Sequence, residues 1–176
     1  MRKSVLFIAM SLDGYIADPN GKIQWLNGQD SSRDDMDTYT DFIKGVDTIF
    51  MGWNTYHQIV TELSPGEWIY EGMTTYVFTH HPQESTEEIR FTKENPASLL
   101  KKLKEEDGKN IWICGGANLI SQLMPTGQID RYSISVIPTL LGKGIRLFQE
   151  FPVEQKLSLI KTQSYNGITD LVYEHR

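Results

Sequence analysis

Short apolar runs and longer helical spacings alternate along the first two thirds of the chain. Val5-Leu6-Phe7-Ile8-Ala9-Met10-Ser11 is apolar at successive positions, as a central strand covered on both faces would be. Val46 to Met51, Thr75 to Thr79 and Asn110 to Cys114 read as further strands. Between them the spacing stretches to that of a helix face: Met36, Tyr39, Phe42 and Ile43, then Asn54 to Val60, then Leu99, Leu100 and Leu103, then Leu119, Ile120, Leu123 and Met124. Punctuation supports these limits. Ser32 with Asp35 three residues on predicts a capping box opening a helix that runs to Lys44, where Gly45 stops it. Asn95-Pro96 predicts a capped helix with proline in its first turn, ending near Asp107-Gly108.

The pattern then changes. Ile129 to Ile137 alternates with a period close to two, and Leu157–Tyr165 and Ile168–Tyr173 flank Asn166-Gly167, a strong hairpin signal. Strand–helix units followed by a run of strands predict an α/β fold: a single domain over residues 1–176, with a mostly parallel central sheet and a C-terminal antiparallel hairpin at its edge. In such sheets ligands bind beyond the carboxyl ends of the strands. Ser11-Leu12-Asp13, Gly52, Thr79-His80 and Gly115-Gly116 all fall at such ends. Gly115-Gly116 joins a strand to a helix start, whose free N–H groups and positive dipole end suit an anion such as a pyrophosphate. The same glycines equally serve a tight strand-to-helix connection.

Composition narrows the chemistry. The 176 residues carry a formal net charge of -6, which gives no bulk attraction for nucleic acid or an anionic membrane. Cys114 stands alone, so intrachain disulfides and Cys-based zinc motifs are excluded, and it reads as a small core residue. The apolar run Val5 to Met10 is short for a signal-peptide core, lacks a small-residue cleavage site, and leaves the expectation of a cytoplasmic protein.

Four segments together carry a resemblance: Ser11-Leu12-Asp13-Gly14-Tyr15-Ile16-Ala17, Met51-Gly52-x-x-Thr55-Tyr56, Cys114-Gly115-Gly116, and Ile137 to Phe148 with Pro138-x-Leu140-Leu141-Gly142-x-Gly144. In this order the chain resembles the dihydrofolate reductase superfamily, and within it the reductase domain of the bacterial riboflavin-biosynthesis protein RibD. The resemblance implies a three-layer α/β fold, often homodimeric, with NADPH as hydride donor to a small-molecule substrate of pyrimidine or pteridine type. It implies that Ala9 and Met10 flank the nicotinamide and that Ile16 and Ala17 close over it. Gly52, Asn54 and Thr55 would hold phosphate at a helix start, Thr79 and His80 would line the adenosine end, and Gly115, Gly116, Ala117, Asn118 and Leu119 would cradle the pyrophosphate. No metal is implied.

The chain departs from the pattern in two places. Many relatives carry a basic residue after the glycine of the second joint, which grips the 2′-phosphate of NADPH; this chain has Trp53. Either His80 or His81, beside Pro82, takes that role, or the preference over NADH is relaxed. Dihydrofolate reductases place a carboxylate at the start of the first helix; here Asp34, Asp35, Asp37 and Asp41 cluster there, and Asp37 lies nearest the expected place. These acids also read as a solvated face favouring the positive helix end. Asp13 reads as a turn former or as the residue ordering the loop over the cofactor, and Lys143 and Arg146 as surface charges or a substrate-phosphate contact. The cytidine-deaminase-type zinc motif of bifunctional RibD proteins is missing, so the reading is a stand-alone reductase acting on the RibD pyrimidine, 5-amino-6-(5-phosphoribosylamino)uracil. Dihydrofolate reduction and a non-catalytic nucleotide-binding protein are the alternatives.

Overall fold

A computed structural model describes residues 1–33, 35–81 and 83–176; Asp34 and Pro82, both named above, lie outside the described residues. The first strand, β1 (Ser4–Ser11), lies near the middle of the main sheet, as its two-sided apolarity requires. Then come β2 (Tyr15–Ala17), α1 (Thr38–Ile43), β3 (Val46–Gly52) and α2 (Trp53–Gln58), the last continuing as a π-helical turn over Ile59–Leu63. The chain goes on through β4 (Thr74–Phe78), β5 (Ile89–Thr92), α3 (Pro96–Lys104), β6 (Asn110–Gly115) and α4 (Ala117–Leu123). It closes with β7 (Arg131–Ile137), β8 (Ile145–Arg146), β9 (Leu157–Tyr165) and β10 (Ile168–His175).

Eight strands form one sheet in the order β5-β4-β3-β6-β1-β7-β10-β9. Every pair from β5 to β7 is parallel, and β10 runs antiparallel to both β7 and β9. The expected α/β class, with a mostly parallel sheet and an antiparallel C-terminal hairpin, is the fold observed. Asn166 (φ 45°) and Gly167 (φ 78°) both take the left-handed conformations that a two-residue turn between twisted strands needs.

Alternation of side chains along the strands divides the core into two layers. On one face Leu6, Phe50, Ile111, Ile113 and Ile134 pack under α3 and α4 through Leu99, Leu100, Leu103, Leu119, Ile120 and Leu123. Each such aliphatic side chain removed from water contributes roughly 1.5–3 kcal/mol. On the other face Ile49, Met51, Val77 and Trp112 meet Phe42 and Ile43 of α1 and Trp53, Tyr56 and Ile59 of the α2 segment. Phe7 stacks on Phe42 at 4.1 Å between ring centroids, and the Trp112 indole donates to the Phe7 carbonyl at 3.0 Å. The result is a three-layer sandwich.

Four elements depart from the sequence reading. The first helix opens at Thr38 and not at Ser32, because Asp30 takes both the Ser32 N–H and its hydroxyl while Asp35 accepts from the Asn166 side chain. Asp37 caps it instead, its Oδ1 accepting from Thr40 N at 2.9 Å. The third helix ends at Lys104, a few residues before Asp107-Gly108, while Asn95 caps its start as expected. Within the loops after β1 and β7, β2 and β8 pair antiparallel as a separate small sheet; with three and two residues they are too short for periodicity to reveal.

Candidate active site

Because β1, β3, β4, β6 and β7 are parallel, their carboxyl ends share one edge, and the predicted residues gather along it. β3 ends at Gly52 and β6 at Gly115, with Met51 opposite Gly115 in register. The two glycine joints meet. A Cβ built on Gly52 would lie 3.8 Å from Gly116 N and 4.0 Å from Gly115 O, and one on Gly116 would lie 3.4 Å from Thr55 Oγ1. Gly115 has φ +119°, a conformation open to glycine, and the peptide joining it to Gly116 is cis. Gly52 and Gly116 stand at the N-cap positions of α2 and α4, so neither helix start is capped by a side chain. First-turn N–H groups of a helix have no intrahelical partner.

Other predicted residues divide into those facing this edge and those that meet a ligand only through backbone. Thr55 is half-buried beside Gly116, and Asn54 and Asn118 are exposed. Asn118 turns its side-chain oxygen to Gln122 Nε2 at 2.7 Å. Leu119 points into the core under α4, and Ala117 is buried, which leaves only their N–H groups for a ligand. Thr79 is buried just beyond β4 and its hydroxyl accepts from His81 N at 2.9 Å; His80 is exposed. Trp53 packs with the aromatic cluster on the α2 face: its ring lies 4.8 Å from that of His81 and 5.7 Å from that of His57. The imidazoles nearest that position are therefore those of His57 and His81. His57 went unnoticed in the sequence although its place one helical turn from Trp53 was readable.

The loop after β1 is clasped to the loop after β7. Asp13 Oδ1 accepts from Ser11 Oγ at 2.6 Å and Leu141 N at 3.1 Å, and its Oδ2 accepts from Gly142 N at 2.7 Å. The Ser11 hydroxyl and these two amides hold the Asp13 carboxyl down to about 2, against partial desolvation that acts the other way. Both of its readings are realised in part: Asp13 sits in the turn that Gly14 N closes onto Ser11 O at 2.9 Å, and its carboxylate ties that turn to the loop after β7. Arg146 lies over the Tyr15 ring at 4.9 Å, and Lys143 is exposed. The clasp sets Ile16 against the core and buries Ala17 beside the end of β1, where Ala9 and Met10 are half-buried.

Asp37 stands exposed at the start of α1. Its hydrogen bonds from the Thr40 hydroxyl and backbone hold its carboxyl below the ordinary value, the state that suits a helix cap. A different acid is buried. Asp170 on β10 is 6% exposed and accepts from Ser135 Oγ at 2.6 Å, Gln163 Nε2 at 2.9 Å and Tyr165 OH at 3.3 Å. Burial first of all pushes the Tyr165 hydroxyl up. Sequence reading missed this cluster; the alternation of Ser133 and Ser135 with apolar residues in β7 was its one visible trace.

Comparison with known proteins agrees with this architecture. The model of the RibD C-terminal domain matches residues 2–173. Among curated proteins, the chain is 41% identical over 175 residues to the uncharacterized protein YwjB of Bacillus subtilis, covering 98% of this chain and 97% of that one. It is 26% identical over 203 residues to the riboflavin biosynthesis protein RibD of Haemophilus influenzae, covering 90% of this chain and 54% of RibD. Among solved structures, a putative riboflavin biosynthesis protein from Shewanella sp. PV-4 superposes with a TM-score of 0.86 at 25% identity, covering 99% of both chains. The Thermotoga maritima diaminohydroxyphosphoribosylaminopyrimidine deaminase/5-amino-6-(5-phosphoribosylamino)uracil reductase shares the fold, with a TM-score of 0.71 at 17% identity over 99% of this chain and 57% of that one. With a dihydrofolate-reductase-like fold and a family match spanning nearly its whole length, the chain belongs to the RibD C-terminal domain family.

Proposed function

We propose that this protein is an NADPH-dependent reductase of the RibD C-terminal type, acting on a small pyrimidine- or pteridine-like substrate such as 5-amino-6-(5-phosphoribosylamino)uracil. NADH remains an admissible donor, since Trp53 stands where a basic residue would select the 2′-phosphate. We further expect a cytoplasmic homodimer with neither nucleic acid nor membrane among its partners. The observation that carries the reading is the meeting of two uncapped, glycine-led helix starts, with a Cβ position on Gly52 only 3.8 Å from Gly116 N. Neither helix start is capped by a side chain, and the Thr55 hydroxyl lies beside Gly116, a setting that fits a dinucleotide's phosphates.

NADPH, when bound, supplies the hydride. The chain's own residues do the rest by placement. First-turn N–H groups of α2 and α4, with the Thr55 hydroxyl, hold phosphate. Small Ala9 leaves room for a flat ring over the end of β1, and Ile16 and Ala17, locked by the Asp13 clasp, keep water from it. The Asp37 carboxylate is engaged as the helix cap by the Thr40 N–H and hydroxyl, so an ordered water is the better source of the proton. The test is titration of the purified protein with NADPH and NADH, read by nicotinamide fluorescence and thermal shift. Saturable binding is expected, and assays with the phosphoribosylaminouracil and with dihydrofolate then separate the two substrate classes. Failure of a folded protein to bind either nucleotide would refute the proposal.

A further inference from the structure

Asp170 is, among the described residues, the one carboxylate in the buried class. Burial of an ionised carboxylate is costly unless donors surround it, and an apolar β-branched residue would serve a strand at lower cost. Its position explains more than its packing does. Ala9 lies opposite Ser135 in the parallel β1–β7 register, Ser135 opposite Asp170 in β7–β10, and Asp170 opposite Gln163 in β10–β9. Registered neighbours share a face, so these four residues form one row across four strands. The row starts at the proposed hydride site. Ala9 and Ser135 are both small, and at a strand spacing of about 4.8 Å Asp170 stands roughly 10 Å along the row from Ala9, the span of a flat heterocycle and its substituent.

The carboxylate is also incompletely used. Oδ1 accepts from both Ser135 and Tyr165, whereas Oδ2 accepts from Gln163 alone. Resting on the reductase reading, we propose that Asp170 recognises the substrate: its Oδ2 accepts an N–H of an aminopyrimidine-type ring lying over Ala9 and Ser135. Ser135 and Tyr165 position the carboxylate through these bonds to Oδ1.

The test uses Asp170→Asn in the full chain. The Asn oxygen keeps the Ser135 and Tyr165 bonds, and a rotated Gln163 amide can accept from its NH2, so the network survives. The free acceptor, however, becomes a donor. With protein saturated by NADP⁺, calorimetric binding of 5-amino-6-(5-phosphoribosylamino)uracil should weaken roughly tenfold to a hundredfold, with NADP⁺ affinity and thermal midpoint unchanged. Ser135→Thr, which keeps the hydroxyl and suits a strand but adds a methyl to the row, should weaken the probe as well. It decides the matter if Asp170→Asn fails to fold. Undiminished probe binding in the folded variants, or no probe binding by the NADP⁺-loaded wild type, would overturn the role of Asp170 and leave the reductase reading standing. Absence of NADP⁺ binding by the wild type would bring down that reading, and this inference with it.

Discussion

Alanine at Gly115 and alanine at Gly116 should have opposite consequences, although the residues are adjacent. Gly115 has φ +119°, and its built Cβ meets only Ile8 Cδ1 at 3.6 Å and Ile120 Cδ1 at 3.9 Å. Space is available; backbone conformation is the obstacle. A side chain in so sparsely populated a region costs on the order of 1–3 kcal/mol, against which the stiffer unfolded chain returns at most about 1. For a domain of this size each kcal/mol lowers the thermal midpoint by about 2–4 °C, so Gly115→Ala should melt several degrees early. Gly116 has φ −81° and ψ −162°, ordinary for any residue, and its built Cβ touches Thr55 Oγ1 at 3.4 Å, within reach of small adjustment. Gly116→Ala should therefore keep its stability to within about 1 kcal/mol.

Its methyl, however, would stand between Thr55 and the α4 amides, on the proposed phosphate seat. Loss of one charge-assisted hydrogen bond is worth about 1.5–3 kcal/mol, or roughly tenfold to a hundredfold in NADPH affinity. Urea unfolding and fluorescence titration of both variants check the pair. A Gly116→Ala protein that is folded and binds NADPH as tightly as wild type would refute the cradle and leave the glycines as turns.

Other outcomes follow from the same edge of the sheet. A carboxylate whose pKa is lowered on folding stabilises above its unfolded value and loses that contribution as pH falls through the folded one. The Asp13 clasp should accordingly hold below the ordinary 3.8 and release near 2, seen as the midpoint of Leu141 and Gly142 amide shifts; a midpoint near 4 would contradict it. Gly144→Ala should destabilise by about 1–3 kcal/mol, because its Cβ would fall 2.2 Å from the Ala17 carbonyl oxygen and force the β2–β8 pair apart; an unchanged urea midpoint would argue against that close approach. Cys114 should resist thiol reagents at mildly alkaline pH until the protein unfolds, since burial pushes its thiol up to about 12 despite the Tyr70 hydroxyl. Rapid labelling of the native protein would contradict this.

What was legible in the sequence was whatever is encoded over a few neighbouring residues. Two-sided apolarity put β1 in the sheet's interior, Asn166-Gly167 set the hairpin, and the glycine joints marked the carboxyl edge where Gly52 and Gly116 meet. What stayed hidden depends on partners distant in the chain. Ser32 and Asp35 make a sound capping box in isolation, yet Asn166, more than a hundred residues on, claims Asp35, and the helix start moves to Asp37. Asp170 looks like any polar residue after a hairpin turn until sheet register aligns it with Ser135 and Ala9. The difference matters for function. Acids clustered at the first helix are conspicuous in sequence, but Asp35 is engaged by the hairpin and Asp37 by its own helix. The only carboxylate among the described residues that is taken from water comes from the opposite end of the chain. If a carboxylate holds the substrate here, register and burial favour Asp170 over the acids that local spacing singled out.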